Sequence, residues 1–142
     1  MKGNAAEEIR MITYKDIKTF QEKDLKDLFE SVGWVSAKYS DRLVKALANS
    51  DTVISVWDDE KLVGLINLLD DGELTAYAHY LLIRPDYQHK GIGRELLSRV
   101  KEKYKSYLYL VLTAENKEVI SFYEKQGFRV TEGASPMTIF NP

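Results

Sequence analysis

Between residues 52 and 83, three apolar, β-prone runs follow one another with almost no chain between them. Residues 52–57 (TVISVW) are rich in β-branched side chains, and Asp58-Asp59-Glu60 is a polar turn. Residues 61–69 form the second run, Asp70-Asp71-Gly72 turns the chain again, and residues 73–83 form the third. Such short turns cannot carry a parallel crossover, which needs about a dozen residues or more. The runs therefore predict an antiparallel meander. It ends at Arg84-Pro85, where proline cannot join a ladder.

On both sides of the meander the apolar period lengthens. Leu25, Leu28, Phe29 and Val32 recur at i, i+3, i+4 and i+7, one stripe of a helix that Gly33 can stop. Ser40 or Asp41 is placed to cap a second helix, with Leu43, Val44 and Leu47 on one face. Residues 91–104 suit a helix with Leu96, Leu97, Val100 and Tyr104 inward, and residues 107–112 an apolar strand. Asn116 can cap a further helix carrying Val119, Phe122 and Tyr123, closed by Gly127. Residues 128–130 and 137–140 read as short final strands. Residues 10–14 read as a short first one, after a loose lead-in over the first ten residues. The fold class is α+β (mixed α/β), a meander leading into a strand–helix–strand unit. No linker or repeat divides the 142 residues, so a single domain over 1–142 is expected.

Charge and residue usage narrow the chemistry. A net charge of -2, with both signs interspersed, gives no basic surface for nucleic acid. The absence of cysteine removes disulfides, thiol nucleophiles and thiolate metal sites. With only His79 and His89, a three-histidine zinc site is excluded, and no metal is expected. The opening residues lack the apolar core of a secretory signal, and no run approaches the roughly 20 apolar residues that span a bilayer. A cytoplasmic protein without membrane contact is the expectation.

Residues 81–97 (LLIRPDYQHKGIGRELL) carry the most specific signal. A strand ends, a loop with Gly91 and Gly93 follows, and a helix begins. Glycines let consecutive amides converge on one anion, and a helix start adds unpaired N–H groups and a partial positive charge. Lys90 and Arg94 can add charge. G-x-G alone is equally a tight-packing turn. The string is neither a Walker A motif nor the dinucleotide G-x-G-x-x-G, since Leu96 stands at the third glycine position.

The full pattern Gln88-x-x-Gly91-x-Gly93 after Ile83-x-Pro85 resembles the coenzyme A loop of the GNAT acetyltransferase superfamily. Residues 116–128 (NKEVISFYEKQGF) resemble its second signature, N-x-x-A-x-x-F-Y-x-x-x-G-F, with Val119 where a small residue is usual. The resemblance implies a central, mostly antiparallel sheet of six to seven strands flanked by about four helices. It implies acetyl-CoA as co-substrate. Leu81 and Ile83 would contact the pantetheine or acetyl group, and the backbone N–H near Leu82 would polarise the thioester. His89, Lys90, Gly91, Ile92, Gly93 and Arg94 would hold the pyrophosphate, with Gln88 also contacting coenzyme A and Asn116 on the pantetheine. It also implies Tyr123 as the acid that protonates the departing thiolate, a role suited to a phenol protonated at neutral pH. Without the motif, Tyr123 and Phe122 are equally core aromatics of an amphipathic helix.

An alkylamine of pKa near 10.4 is neutral about once in 2,500 molecules at pH 7, a handicap of about 4.6 kcal/mol. A base is therefore valuable, whereas a covalent intermediate is unnecessary because a bound amine can attack directly. His79 is the leading candidate. Two-residue periodicity places it on one face with Leu81 and Ile83, and a histidine at the corresponding place serves deprotonation in the arylalkylamine branch. A hydrogen-bonded structural histidine is the competing reading, and Glu73 and Tyr80 are further candidates. Ser31-Val32-Gly33-Trp34, residues 43–50 and Leu62-Val63-Gly64 resemble the plastid and cyanobacterial serotonin N-acetyltransferase branch. Trp34, Val35 and Tyr39 would then wall the acceptor site, though Trp34 also suits a core plug. The expected reaction is acetyl transfer to the primary amine of a small molecule, an arylalkylamine or a polyamine. A peptide or protein amine is the alternative, as is a noncatalytic acyl-CoA sensor. Members of the superfamily often dimerise through terminal strands, which makes residues 136–140 a candidate homodimer contact.

Overall fold

A computed structural model describes residues 11–142; the lead-in and the first residue of the expected first strand lie outside them. The elements run β1 (Ile12–Lys15), α1 (Glu22–Ser31), a 3-10 turn (Val35–Tyr39), α2 (Ser40–Ala48), β2 (Thr52–Asp58), β3 (Lys61–Asp70) and β4 (Thr75–Ile83). A second 3-10 turn (Pro85–Tyr87), α3 (Ile92–Lys103), β5 (Tyr109–Leu112) and α4 (Lys117–Lys125) complete the described chain. The strands form one sheet in sequence order. Its first three pairings are antiparallel, and β4–β5 is parallel. Residues 84–108, including α3, supply the crossover that a parallel pair requires.

The sheet is buried on both faces, which is why β2 and β3 read as continuous apolar runs and not as alternating ones. On one face α3 lays Ile92, Leu96, Leu97 and Val100 over Ile54, Val56, Ile66 and Leu68, and Tyr123 of α4 joins the same core. On the other face α1 and α2 bring Leu25, Leu28, Phe29, Leu43 and Leu47 against Val53, Leu62, Leu65 and Leu82. The stripe read from the sequence of α1 is thus the face that is buried. Leu25, Leu28 and Phe29 are fully enclosed.

Several boundaries differ from the expectation, each for a local reason. The third meander strand starts at Thr75 and not at residue 73, because Asp71 takes the intervening backbone. Its Oδ1 accepts the N–H groups of Glu73, Leu74 and Thr75 at 2.9, 2.7 and 3.1 Å. These bonds also hold the Asp71 carboxyl below its ordinary pKa. α2 begins at Ser40, but the hydroxyl does not cap it and instead donates to Glu22 Oε2 at 2.8 Å. The sheet has five strands among the described residues, not six or seven. Residues 128–130 and 137–140 make no ladder, and Val130, Met137, Ile139 and Phe140 stand exposed. β-branched and aromatic content favours a strand only where a neighbouring strand supplies hydrogen bonds and a surface to pack on.

Candidate active site

β4 and β5 pair only over Thr75–Ala78 and Tyr109–Leu112. Beyond Ala78, β4 runs on to Ile83 with no partner on its β5 side among the described residues, while the chain after β5 turns away into α4. The strands therefore open a cleft whose wall includes the backbone edge of β4 beyond Ala78, closed at its far end by the Gln88 side chain on the Ile83 carbonyl. Unpaired strand edges are hydrogen-bonding surfaces that an extended ligand can complete.

At the end of that edge lies the glycine loop. Gln88 ties it to the strand, its side-chain amide donating to the Ile83 carbonyl at 2.9 Å. His89 and Gly91 both have left-handed backbone, with φ of 62° and 86°. The first is uncommon for a residue with a Cβ, and such conformations concentrate at functional turns. Gly91 is the N-cap of α3 and no side chain caps this helix, so its first-turn amides have no protein side chain to satisfy them. Uncapped amides, the helix dipole and exposed Lys90 and Arg94 together suit a pyrophosphate. Ile92 contributes only its amide, because its side chain is buried in the core. Gly93 is tightly packed: a Cβ there would lie 3.2 Å from Phe122 Cζ and 3.3 Å from Ile83 Cδ1, so those side chains would have to give way by a few tenths of an ångström. That close approach seats α3 against α4 and β4.

α4 brings in the second motif. Asn116 Oδ1 caps the helix by accepting the Val119 N–H at 2.9 Å, so this side chain has a structural task whatever else it contacts. Val119 is partly buried beside the same core. The Tyr123 ring is nearly enclosed, packed edgewise against Phe128 at 5.7 Å and tilted to Phe122 at 5.3 Å. Burial, helped by the negative charge of nearby Glu115, pushes its phenol up to about 12. Glu115, in the β5–α4 loop, was not singled out by sequence, since an exposed loop glutamate carries no pattern.

The sequence periodicity fails at His79. The β3–β4 register steps from Leu68↔Ala78 to Asn67↔Tyr80, leaving His79 as an extra residue in a bulge. Ala76 and Ala78 face the α3 core, but after the bulge Leu81 and Ile83 take that face while Tyr80 and Leu82 pack on the α1–α2 side. His79 stacks on Tyr80, with centroids 4.0 Å apart and planes at 21°, and on Tyr77 at 5.8 Å and 25°. It therefore lies opposite Leu81 and Ile83, not beside them. One added residue resets a two-residue alternation. His79 is exposed on β4, yet partial desolvation of its imidazole beside the two tyrosine rings lowers its pKa below the ordinary 6.5, which favours the neutral, proton-accepting form.

Trp34 reaches the same wall. Its ring lies 5.9 Å from Tyr80, which packs edgewise on Phe29 at 5.0 Å and whose hydroxyl shares a 2.8 Å hydrogen bond with Ser36 Oγ. Val35 beside it is exposed. Tyr39 has no ring contact with this group and lies under the Arg42 guanidinium, 5.9 Å away. The wall is thus Tyr77, His79, Tyr80 and Trp34. Tyr77 and Ser36 carry no sequence signal of their own, because their place depends on the bulge and on the 3-10 turn. Leu82 turns its side chain into the α1–α2 core, and its backbone faces Leu65 of β3 and not the cleft.

Comparison with known proteins bears on the family and the fold. The model of the acetyltransferase (GNAT) family matches residues 9–128, and the chain belongs to that family. An uncharacterised ycf52-like N-acetyltransferase of Prochlorococcus marinus is 32% identical over 120 residues, covering 81% of this chain and 66% of its own length. The chain thus spans just under two-thirds of that relative. A spermidine N(1)-acetyltransferase of Thermoplasma acidophilum is 31% identical over 112 residues, 70% of this chain and 67% of the relative. Among solved structures, a GNAT-family acetyltransferase from Streptococcus pneumoniae TIGR4 superposes with a TM-score of 0.79 at 29% identity, covering 92% of this chain and 98% of that one. The expected fold class holds, with fewer strands. No described helix is long and apolar enough to cross a membrane.

Proposed function

We propose that this protein is an acetyl-CoA-dependent N-acetyltransferase acting on the primary amine of a small molecule, with an arylalkylamine favoured and a polyamine next. The observation that carries this reading is the cleft between β4 and β5, with an uncapped helix start at one side and the enclosed Tyr123 phenol on α4. An extended thioester substrate fits it: the β4 edge meets its amide groups, and the α3 amides with Lys90 and Arg94 meet its pyrophosphate. No metal takes part in the proposal.

In the reaction, the neutral amine attacks the thioester carbon, forming the C–N bond. The tetrahedral intermediate collapses with cleavage of C–S, and the electron pair leaves on sulfur. Tyr123 donates a hydrogen bond to that sulfur, and the neutral His79 imidazole takes the excess amine proton directly or through water. The stacked wall of Tyr77, His79, Tyr80 and Trp34 supports an arylalkylamine, in keeping with the likeness of residues 31–34 to serotonin N-acetyltransferases. Similarity to a spermidine acetyltransferase supports a polyamine.

The test follows release of free thiol from acetyl-CoA with arylalkylamines, polyamines and short peptides. The protein has no cysteine to react in the background. Turnover on arylalkylamines above the other classes is the expected result. Preference for peptides would move the protein to the protein-acetylating reading, and tight binding without turnover would make it a sensor. The exposed edge residues Tyr109 and Val111 of β5, with exposed Met137, Ile139 and Phe140, support a homodimer joined along this side. Sedimentation velocity that returns only monomer at micromolar concentration would remove that part.

A further inference from the structure

β3 is buried and apolar from Leu62 to Leu68 with one polar side chain in the run, Asn67, which is 2% exposed. A buried amide is tolerated only where its donors and acceptor are engaged. Here Oδ1 accepts the backbone N–H of Tyr80 at 2.9 Å, and Nδ2 donates to Ser50 Oγ at 3.0 Å. Ser50, also 2% exposed, donates in turn to the Ala46 carbonyl of α2 at 2.9 Å. The chain of bonds thus runs from the end of α2 through β3 to one atom of β4. That atom is the amide of the residue directly after the extra His79, so the β4 bulge is closed by a side chain from the facing strand.

The consequence for the wall is geometric. Strict alternation would place residues 77, 79, 81 and 83 together and send Tyr80 to the opposite face. The bulge instead brings His79 and Tyr80, adjacent in sequence, onto one side with their rings stacked. We propose that Asn67 is the positioning residue of the acceptor site, holding the bulge through the Tyr80 amide so that Tyr77, His79, Tyr80 and Trp34 form one wall for the amine's planar body. Asn67 touches no substrate and acts through the backbone. The inference rests on the acetyltransferase reading only for what the wall binds, not for how it is built.

Asn67→Ala removes both bonds, Asn67→Asp keeps the oxygen that accepts the Tyr80 N–H, and Ser50→Ala loosens the far end from a position outside the wall. With only two histidines in the chain, the His79 ring proton is followed by NMR titration beside a His89→Asn assignment control. Tyr77 and Tyr80 are the titratable groups against it, and partial desolvation by these rings is what lowers it in the native protein. In Asn67→Ala the His79 titration moves up towards its ordinary position, KM for an arylalkylamine rises about tenfold, as the loss of one aromatic contact allows, and acetyl-CoA affinity changes less than twofold. Asn67→Asp restores the amine KM, and Ser50→Ala shifts both readouts part of the way. A folded Asn67→Ala with native His79 titration and amine KM overturns the proposal. If that variant does not fold, an unshifted Ser50→Ala does so. A wild type that acetylates no amine, with His79 still responding to Asn67→Ala, defeats the acetyltransferase reading and leaves the positioning role standing.

Discussion

Tyr123→Phe lowers kcat about 10²-fold while leaving the affinity for acetyl-CoA within about threefold. The phenol held at about 12 stays protonated through any practical assay pH, so it is always a donor. It is also a weak acid. Against a thiol of pKa near 8.5, full transfer from a phenol near 12 is uphill by about 3.5 units, or roughly 4.8 kcal/mol. Tyr123 is therefore expected to stabilise the departing sulfur mainly as a hydrogen-bond donor, a contribution of about 1.5–3 kcal/mol when the acceptor is charged. That range corresponds to about 10- to 150-fold in rate. A loss above about 10³-fold would restore full proton transfer as its role. A loss below about threefold, with the variant folded, would leave Tyr123 as a core aromatic and remove it from the chemistry.

The fold was legible wherever a single local rule decides. Runs of β-branched residues joined by three-residue acidic turns have few alternatives to a meander, and β2, β3 and β4 lie where those runs fall. The stripe on α1 and the inward face of α3 follow from 3.6-residue spacing, which packing then exploits. The final strands were misread because pairing is not a local property. Residues 137–140 have strand-like composition but no ladder partner among the described residues. The start of β4 was missed for a different reason. A single carboxylate, Asp71, claims three successive amides, and a turn built by one side chain competes with the ladder next to it.

The candidate site divides in the same way. The glycine loop was readable because backbone conformation, helix start and residue type coincide in seven consecutive positions, Gln88 to Arg94. The aromatic wall was not, because it depends on a bulge that nothing in the β4 sequence announces. TAYAHYLLI reads as an ordinary strand, and the residue that closes the bulge sits on the neighbouring strand. Asn67 in a run of aliphatic residues was the available signal. A lone amide in a buried strand requires partners, and here those partners reset the phase of β4. Trp34 lies beside Tyr80, whereas Tyr39, close to it in sequence, sits under the Arg42 guanidinium.

His79→Gln tests the base through its pH dependence. At pH 7, kcat/KM for an alkylamine is expected to fall about 10²-fold. The shape of the profile separates a base from a merely structural ring. Only the neutral imidazole accepts a proton, and its pKa is lowered by partial desolvation, so the wild type shows an acid limb only below pH 6.5. In the variant that acid limb disappears. Wild type and variant alike climb about tenfold per pH unit towards the pKa of the amine, near 10.4, as its neutral fraction grows, and the acid limb is what separates them. Stability carries a second signature with the same sign. The folded protein resists protonation of His79, so below about pH 6.5 the unfolded chain binds the extra proton first, and the wild type loses stability as pH falls through the folded pKa. His79→Gln flattens that part of the thermal-midpoint profile. A variant within threefold of wild type at pH 7 that also keeps the acid limb would transfer the base to another group. Tyr80, stacked on the same ring, is the nearest of the candidates already named.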